Sequence, residues 1–131
     1  MGVRLSLLTT AGAVLALALA GASSPSVLSQ ISGGLWEISG QRGAPPTRLC
    51  IPQPPLLAQV EHRSAKCTQT VLRNDPASAL IEYSCPGGGF GHSKITMLTP
   101  RSVRIETQGI ADYAPFGYVV KARRIGNCPN H

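Results

Sequence analysis

CTQTVLRNDPASALIEYSC, residues Cys67–Cys85, decides the fold. Two strand-length runs, Cys67–Leu72 and Ala79–Cys85, flank the turn Asn74-Asp75-Pro76. Asn and Asp side chains bond their own backbone, and proline presets φ, so this triplet reverses the chain and the stretch reads as a β-hairpin. The pattern continues downstream. Pro86-Gly87-Gly88-Gly89 makes the next reversal, Gly91–Leu98 the next strand, and Thr99-Pro100-Arg101 leads into Ser102–Gln108. There Val103, Ile105 and Thr107 share one face and Arg104 and Glu106 the other, the period of two of a half-buried strand. Ile110–Phe116 reads as irregular, and Tyr118–Ile125 closes the series.

Upstream, Leu35–Ser39 alternates in the same way, and Arg48–Ile51 forms a second short strand after the Pro-containing loop Gly40–Thr47. Pro52–Ala65 differs in kind. Proline is tolerated at the first helical position, and Leu56, Leu57 and Val60 fall at one-face spacing, which predicts a short helix from Pro55 to His62. Seven short strands predict an all-β, mainly antiparallel meander: a curled sheet or partly open barrel with one short helix at an end or edge. One polar face per strand implies a sheet covered on one side only.

The N-terminus reads as an export signal. Met1–Arg4 carries one positive charge, Leu5–Ala20 is apolar, and small residues satisfy the A-x-A rule at Ala18-Leu19-Ala20 or Ala20-Gly21-Ala22. About sixteen apolar residues are short for a span of about twenty, so cleavage is expected, with no stable membrane span afterwards. The expected organisation is a signal peptide at 1–22, a flexible Ser-rich lead-in at 23–33, and one domain at 34–128 in the periplasm. Roughly 110 residues then remain, enough for one modest core.

The whole chain carries a formal charge of +6, and removal of Arg4 leaves eleven basic against six acidic residues. That balance suits anionic surfaces such as lipid headgroups or polyanionic glycans. The basic residues are scattered apart from Arg123-Arg124, and aromatics are few, which argues against nucleic acid.

Four cysteines, Cys50, Cys67, Cys85 and Cys128, behind an export signal read as two disulfides. Of the three possible pairings, the sequential one is preferred: Cys50–Cys67 across the helical segment and Cys85–Cys128 pinning the C-terminus. A metal site with His62, His92 or His131 lacks the close Cys or His pairs that zinc favours. A redox role lacks C-x-x-C. Neither a metal nor a cofactor is expected.

Other chemistry is thin. Gly91-His92-Ser93-Lys94-Ile95 lacks the final glycine of a nucleophile elbow, and Pro86–Gly91 fits no phosphate loop. The six carboxylates Glu37, Glu61, Asp75, Glu82, Glu106 and Asp112 are dispersed. A non-enzymatic protein is expected. Trp36 is either a core anchor, the favoured reading, or an aromatic wall of a ligand cavity. Tyr113, Phe116 and Tyr118 either pack the sheet or form an exposed aromatic edge.

Gly34-Leu35-Trp36-Glu37, Cys67 opening a strand, Tyr83-Ser84-Cys85-Pro86-Gly87-Gly88 and the ending Arg123-Arg124-Ile125-Gly126-Asn127-Cys128 resemble a known pattern. It is that of a family of small exported proteobacterial proteins catalogued as a domain of unknown function. Its marks are a GLWE-type start, four cysteines and a C-terminal R-R-[IL]-G-[DN]-C signature. The resemblance spans roughly Gly33 to Cys128 and implies a periplasmic β-rich domain, with no activity to carry over. Pro52-Gln53-Pro54-Pro55 departs from the family's usual Thr-Pro-Glu helix start.

Two functions follow as expectations. The first is a small-ligand or lipid binding module whose concave sheet face takes an apolar molecule. The second is an envelope interaction or structural protein contacting another protein or an anionic glycan through an exposed edge or a basic face. Trp36, Tyr113, Phe116, Tyr118, Arg123 and Arg124 are the candidate contact residues.

Overall fold

The structure, a computed structural model, describes residues 2–3, 9–15, 24–63 and 65–129. Most of the expected export signal falls outside this set. Seven strands form one antiparallel sheet: β1 (Gly34–Ser39), β2 (Thr47–Ile51), β3 (Thr68–Asn74), β4 (Ser78–Ser84), β5 (Phe90–Thr99), β6 (Ser102–Ala111) and β7 (Ala114–Gly126). Their order across the sheet is β2-β1-β7-β6-β5-β4-β3. Strands β3 to β7 are the expected meander, and the β1–β2 hairpin adds to β7, so the sheet curls without closing into a barrel.

The two edge strands, β2 and β3, are consecutive in sequence. The link between them must cross the sheet, and it does so as a 3-10 helix, Pro54–His62, broken at Gln59 (φ −116°, ψ 40°). Period-two alternation gives the sheet a face for this helix to cover. Rows of inward residues run across the strands: Ala79, Ile95, Ile105 and Val120 in one register, Ile38, Ala122 and Val103 in another. Leu57, Ala58 and Val60 of the helix pack on them, and Trp36 is fully buried. Burying Leu57 alone contributes about 2–3 kcal/mol.

Three expectations are corrected. Residues 24–33 are no flexible lead-in: Val27 and Ile31 belong to the core, and Val27–Gln30 forms a short helix, α1. This segment clasps the β3–β4 turn, with the Val27 amide donating to the Asp75 carbonyl at 2.8 Å and Gln30 Nε2 donating to the Pro76 carbonyl at 3.0 Å. Ile110–Phe116 is likewise regular. Asp112 and Tyr113 take left-handed φ of 49° and 63°, a two-residue turn whose twist matches the flanking strands and lets β6 and β7 run to Ala111 and from Ala114.

The third correction is the cysteine pairing, which is Cys50–Cys128 and Cys67–Cys85. Cross-strand register is the reason. Thr68 pairs with Ser84, so the cysteines just outside them meet at the open end of the β3–β4 hairpin. Cys50 and Gly126 both pair with Leu35, from opposite sides of β1, and the chain beyond Gly126 brings Cys128 to Cys50.

Candidate functional site

On the covered face, polar side chains fasten the helix to the sheet. Ser93 in β5, fully buried, donates to the Ala58 carbonyl and lies 2.8 Å from Thr107 Oγ1. Gln59, buried at the helix break, donates to the Ala65 carbonyl at 3.1 Å and accepts from Gln69 Nε2 at 2.8 Å. A broken 3-10 helix leaves backbone groups without helical partners, and these side chains supply them.

The helix C-terminal end carries two more links. His62 Nδ1 lies 2.9 Å from Tyr83 Oη, and Tyr118 Oη donates to Glu61 at 2.6 Å. Burial is the main cause of the raised Tyr83 pKa, pushed up to about 12. Tyr118 is raised as well, first by burial and then by its hydrogen bond to Glu61. Both phenols therefore stay protonated near neutrality, Tyr118 as the donor to Glu61. What opens between helix and sheet, beside Ile38, Val60, Glu61 and Tyr118, is a crevice of about 30 Å³, the share of one water. At the other side of the helix a wider, open depression of about 470 Å³ lies beside Leu56, Gln59, Arg63 and Gln69.

The uncovered face differs. Across five strands at one end lies an open trough of about 750 Å³, within the range of small-molecule sites. Thr68, Thr70, Glu82, Ser84, Phe90, His92, Gln108, Ile110 and Pro115 line it. Phe90 stands 51% exposed at its rim. A second depression of about 570 Å³ adjoins it, sharing His92 and Gln108 and extending past Leu80, Lys94 and Val119. Glycines shape the sheet under the trough. Gly91 and Gly109 face each other in register, a Cβ on Gly91 would overlap the Tyr83 ring, and one on Gly109 would overlap the Phe90 carbonyl. His92 Nε2 is buried here without a hydrogen-bond partner among the described residues, a polar atom that a ligand can satisfy.

The candidate contact residues scatter. Trp36 is fully buried in the core, its Nε1 donating to the Ser32 carbonyl at 3.2 Å. Phe116 and Tyr118 pack together at 5.9 Å between ring centroids, with His62 against Phe116, and each also borders a depression, Phe116 the trough and Tyr118 the one adjoining it. Tyr113 stands alone at the turn tip, 96% exposed. Arg123 and Arg124 point to opposite faces. Arg123 reaches Glu37 at 3.5 Å on the uncovered face, whereas Arg124 donates from Nε to the Gly33 carbonyl at 2.9 Å and from its NH2 group to Asn127 at 2.8 Å. Both nevertheless line one open depression of about 450 Å³, together with Arg101 and Ser102. Sequence reading missed Phe90, Ile110 and Pro115, whose only signal was an outward apolar residue in each of three neighbouring strands.

No family model, curated protein or solved structure significantly matches the chain. Among the described residues no cluster of three His, Cys, Asp or Glu forms, and no helix is long and apolar enough to cross a membrane.

Proposed function

We propose that this protein is a non-catalytic binding module of the periplasm that holds a small amphipathic molecule in the trough on its uncovered face. The trough itself carries the reading. It offers an apolar rim at Phe90, Ile110 and Pro115 beside hydrogen-bonding groups of Thr70, Gln108 and His92, the mixture that ligand sites use for affinity and orientation. Two disulfides suit an oxidising compartment, and the signal-like residues 1–22 support export into one. The GLWE start and the RRIGNC end support placement beside the exported family they resemble.

Solvent extraction of the purified protein, read by mass spectrometry, tests the proposal. A stoichiometric small molecule is expected from the native chain and a depleted one from a Phe90→Asp, Ile110→Asp variant with unchanged melting. A native protein that releases nothing and binds no long-chain probe overturns it.

One observation favours a second reading, in which the protein docks on an envelope partner. Strand β3 is an open edge, with Val71 and Leu72 about half exposed, and edges of this kind accept an added strand. Reproducible cross-links from Thr70→Cys that vanish on Val71→Pro would support it.

A further inference from the structure

Charge on the uncovered face is segregated along the strands. Cross-strand rows follow one another every two residues, about 7 Å apart. The row Ser84, Phe90, Ile110 and Pro115 carries no charge. Three rows further along, Ser39, Lys121, Arg104 and Thr96 form a row with two cations and no acid. From Ile110 to Arg104 along β6 is about 20 Å.

Carboxylates on this face are largely committed. Glu37 is held by Arg48 and Arg123, each at 3.5 Å, and Glu106, opposite Lys94 across the strands, meets Arg104 at 3.2 Å. Glu82 sits in the trough, two rows from Arg104 towards Phe90 with Lys94 between. Among the described residues Lys94 and Lys121 have no carboxylate within 4.0 Å. Apolar surface reaches toward them, because the second depression extends the trough past Lys94 and Val119, which is 44% exposed.

Resting on the amphiphile reading above, we infer that the molecule bound here is an anionic single-chain amphiphile. Its chain lies against Phe90, Ile110 and Val119, and its acid group sits at Lys94 and Lys121. Apolar contact along the trough supplies affinity, and two ammonium groups at one end fix polarity and direction. A neutral headgroup leaves those ammonium groups unsatisfied by charge, and a cationic one is repelled.

Titration calorimetry with three monomeric amphiphiles of one chain length separates this inference from the reading beneath it. Tetradecanoate is expected to bind about tenfold tighter than tetradecyl maltoside, with tetradecyltrimethylammonium weakest, and the gap should narrow in high salt. The double variant Lys94→Gln, Lys121→Gln should erase the preference for the acid, chiefly by weakening tetradecanoate. Phe90→Asp should weaken all three. Equal affinity for the three headgroups overturns the anionic assignment while amphiphile binding stands. Binding of none overturns both. A preference that survives the double lysine change overturns the headgroup position, and binding only to anionic phospholipid vesicles makes the face a membrane contact instead.

Discussion

Replacing Gly91 by alanine should destabilise the domain through one identifiable contact. Gly91 has no left-handed φ that would strain an L-residue, so in the backbone alone alanine is favoured by about 0.4–1 kcal/mol. Its Cβ, however, would overlap Tyr83 Cζ and Oη and come within 2.6 Å of Cε1. The ring has little room to yield, because Tyr83 is buried and its hydroxyl lies 2.9 Å from His62 Nδ1. Overpacking of this kind costs about 1–3 kcal/mol, which outweighs the backbone gain and leaves a net loss of about 1–2 kcal/mol. Tyr83→Ala alone should cost about 3 kcal/mol. In that background the overlap is gone, and Gly91→Ala should become neutral or slightly stabilising. The coupling energy between the two changes is then about 2 kcal/mol, measured by urea unfolding of the four proteins with disulfides intact. Gly109→Ala provides the contrast. Its Cβ would meet the Phe90 carbonyl, which is backbone, so Tyr83→Ala should give no relief. Additive costs at Gly91 and Tyr83, or a harmless Gly91→Ala, would refute the packing described for the sheet beneath the trough.

Peptide mapping without reduction should recover Cys50 joined to Cys128 and Cys67 to Cys85. On the loop-entropy account the first, closing 78 residues, contributes about 4.5 kcal/mol and the second, closing 18, about 3 kcal/mol, so paired serine variants should rank in that order by urea midpoint. Stability should also fall in strong alkali. Tyr83 and Tyr118 hold their protons more tightly folded than unfolded, so their contribution is complete below pH 10; that of Tyr83 is lost as pH climbs through about 12, and that of Tyr118 higher still. Tyrosinate absorbance should lag free tyrosine, and Tyr83→Phe should flatten the pH profile. Arg124→Ala should cost about 1–2 kcal/mol through its lost bonds to Gly33 and Asn127, whereas exposed Arg123→Ala should stay within about 0.5 kcal/mol by thermal melting.

Alternation made most of the sheet legible. Val103, Ile105 and Thr107 against Arg104 and Glu106 state the two faces of β6 outright, and Asn74-Asp75-Pro76 marks a hairpin that is present. Signals that depend on register were harder to use. Extending the recognised hairpin outward would have placed Cys67 opposite Cys85, but the strand ends were not known to the residue, and one step of slip reverses every side chain. Asp112-Tyr113 hid its turn because neither residue is glycine, although aspartate tolerates the left-handed region. Ser-rich composition concealed the packing of residues 24–33, where Val27 and Ile31 are four apart and face one way onto the core. The trough had no linear signature, because Phe90, Ile110 and Pro115 come from three strands and meet only across the sheet.

Two of the segments that carry the family resemblance, the GLWE start and the RRIGNC end, meet at a clasp, whereas Ser84 of a third lines the trough. Strand β1, with Gly34 and Trp36, lies between β2 and β7, and Arg124 of β7 crosses to Gly33 so closely that a Cβ on Gly34 would come within 2.6 Å of its Nε. Asn127 holds the other end of that guanidinium, and Cys128 ties the same corner to β2. Glycine at position 34 is required twice over, by this approach and by its φ of +149°. Gly34, Arg124, Asn127 and Cys128 thus fasten the first and last strands of the chain at one corner of the sheet. The rim of the proposed ligand trough, Phe90, Ile110 and Pro115, draws on none of those four residues, so clasp and trough can be altered separately.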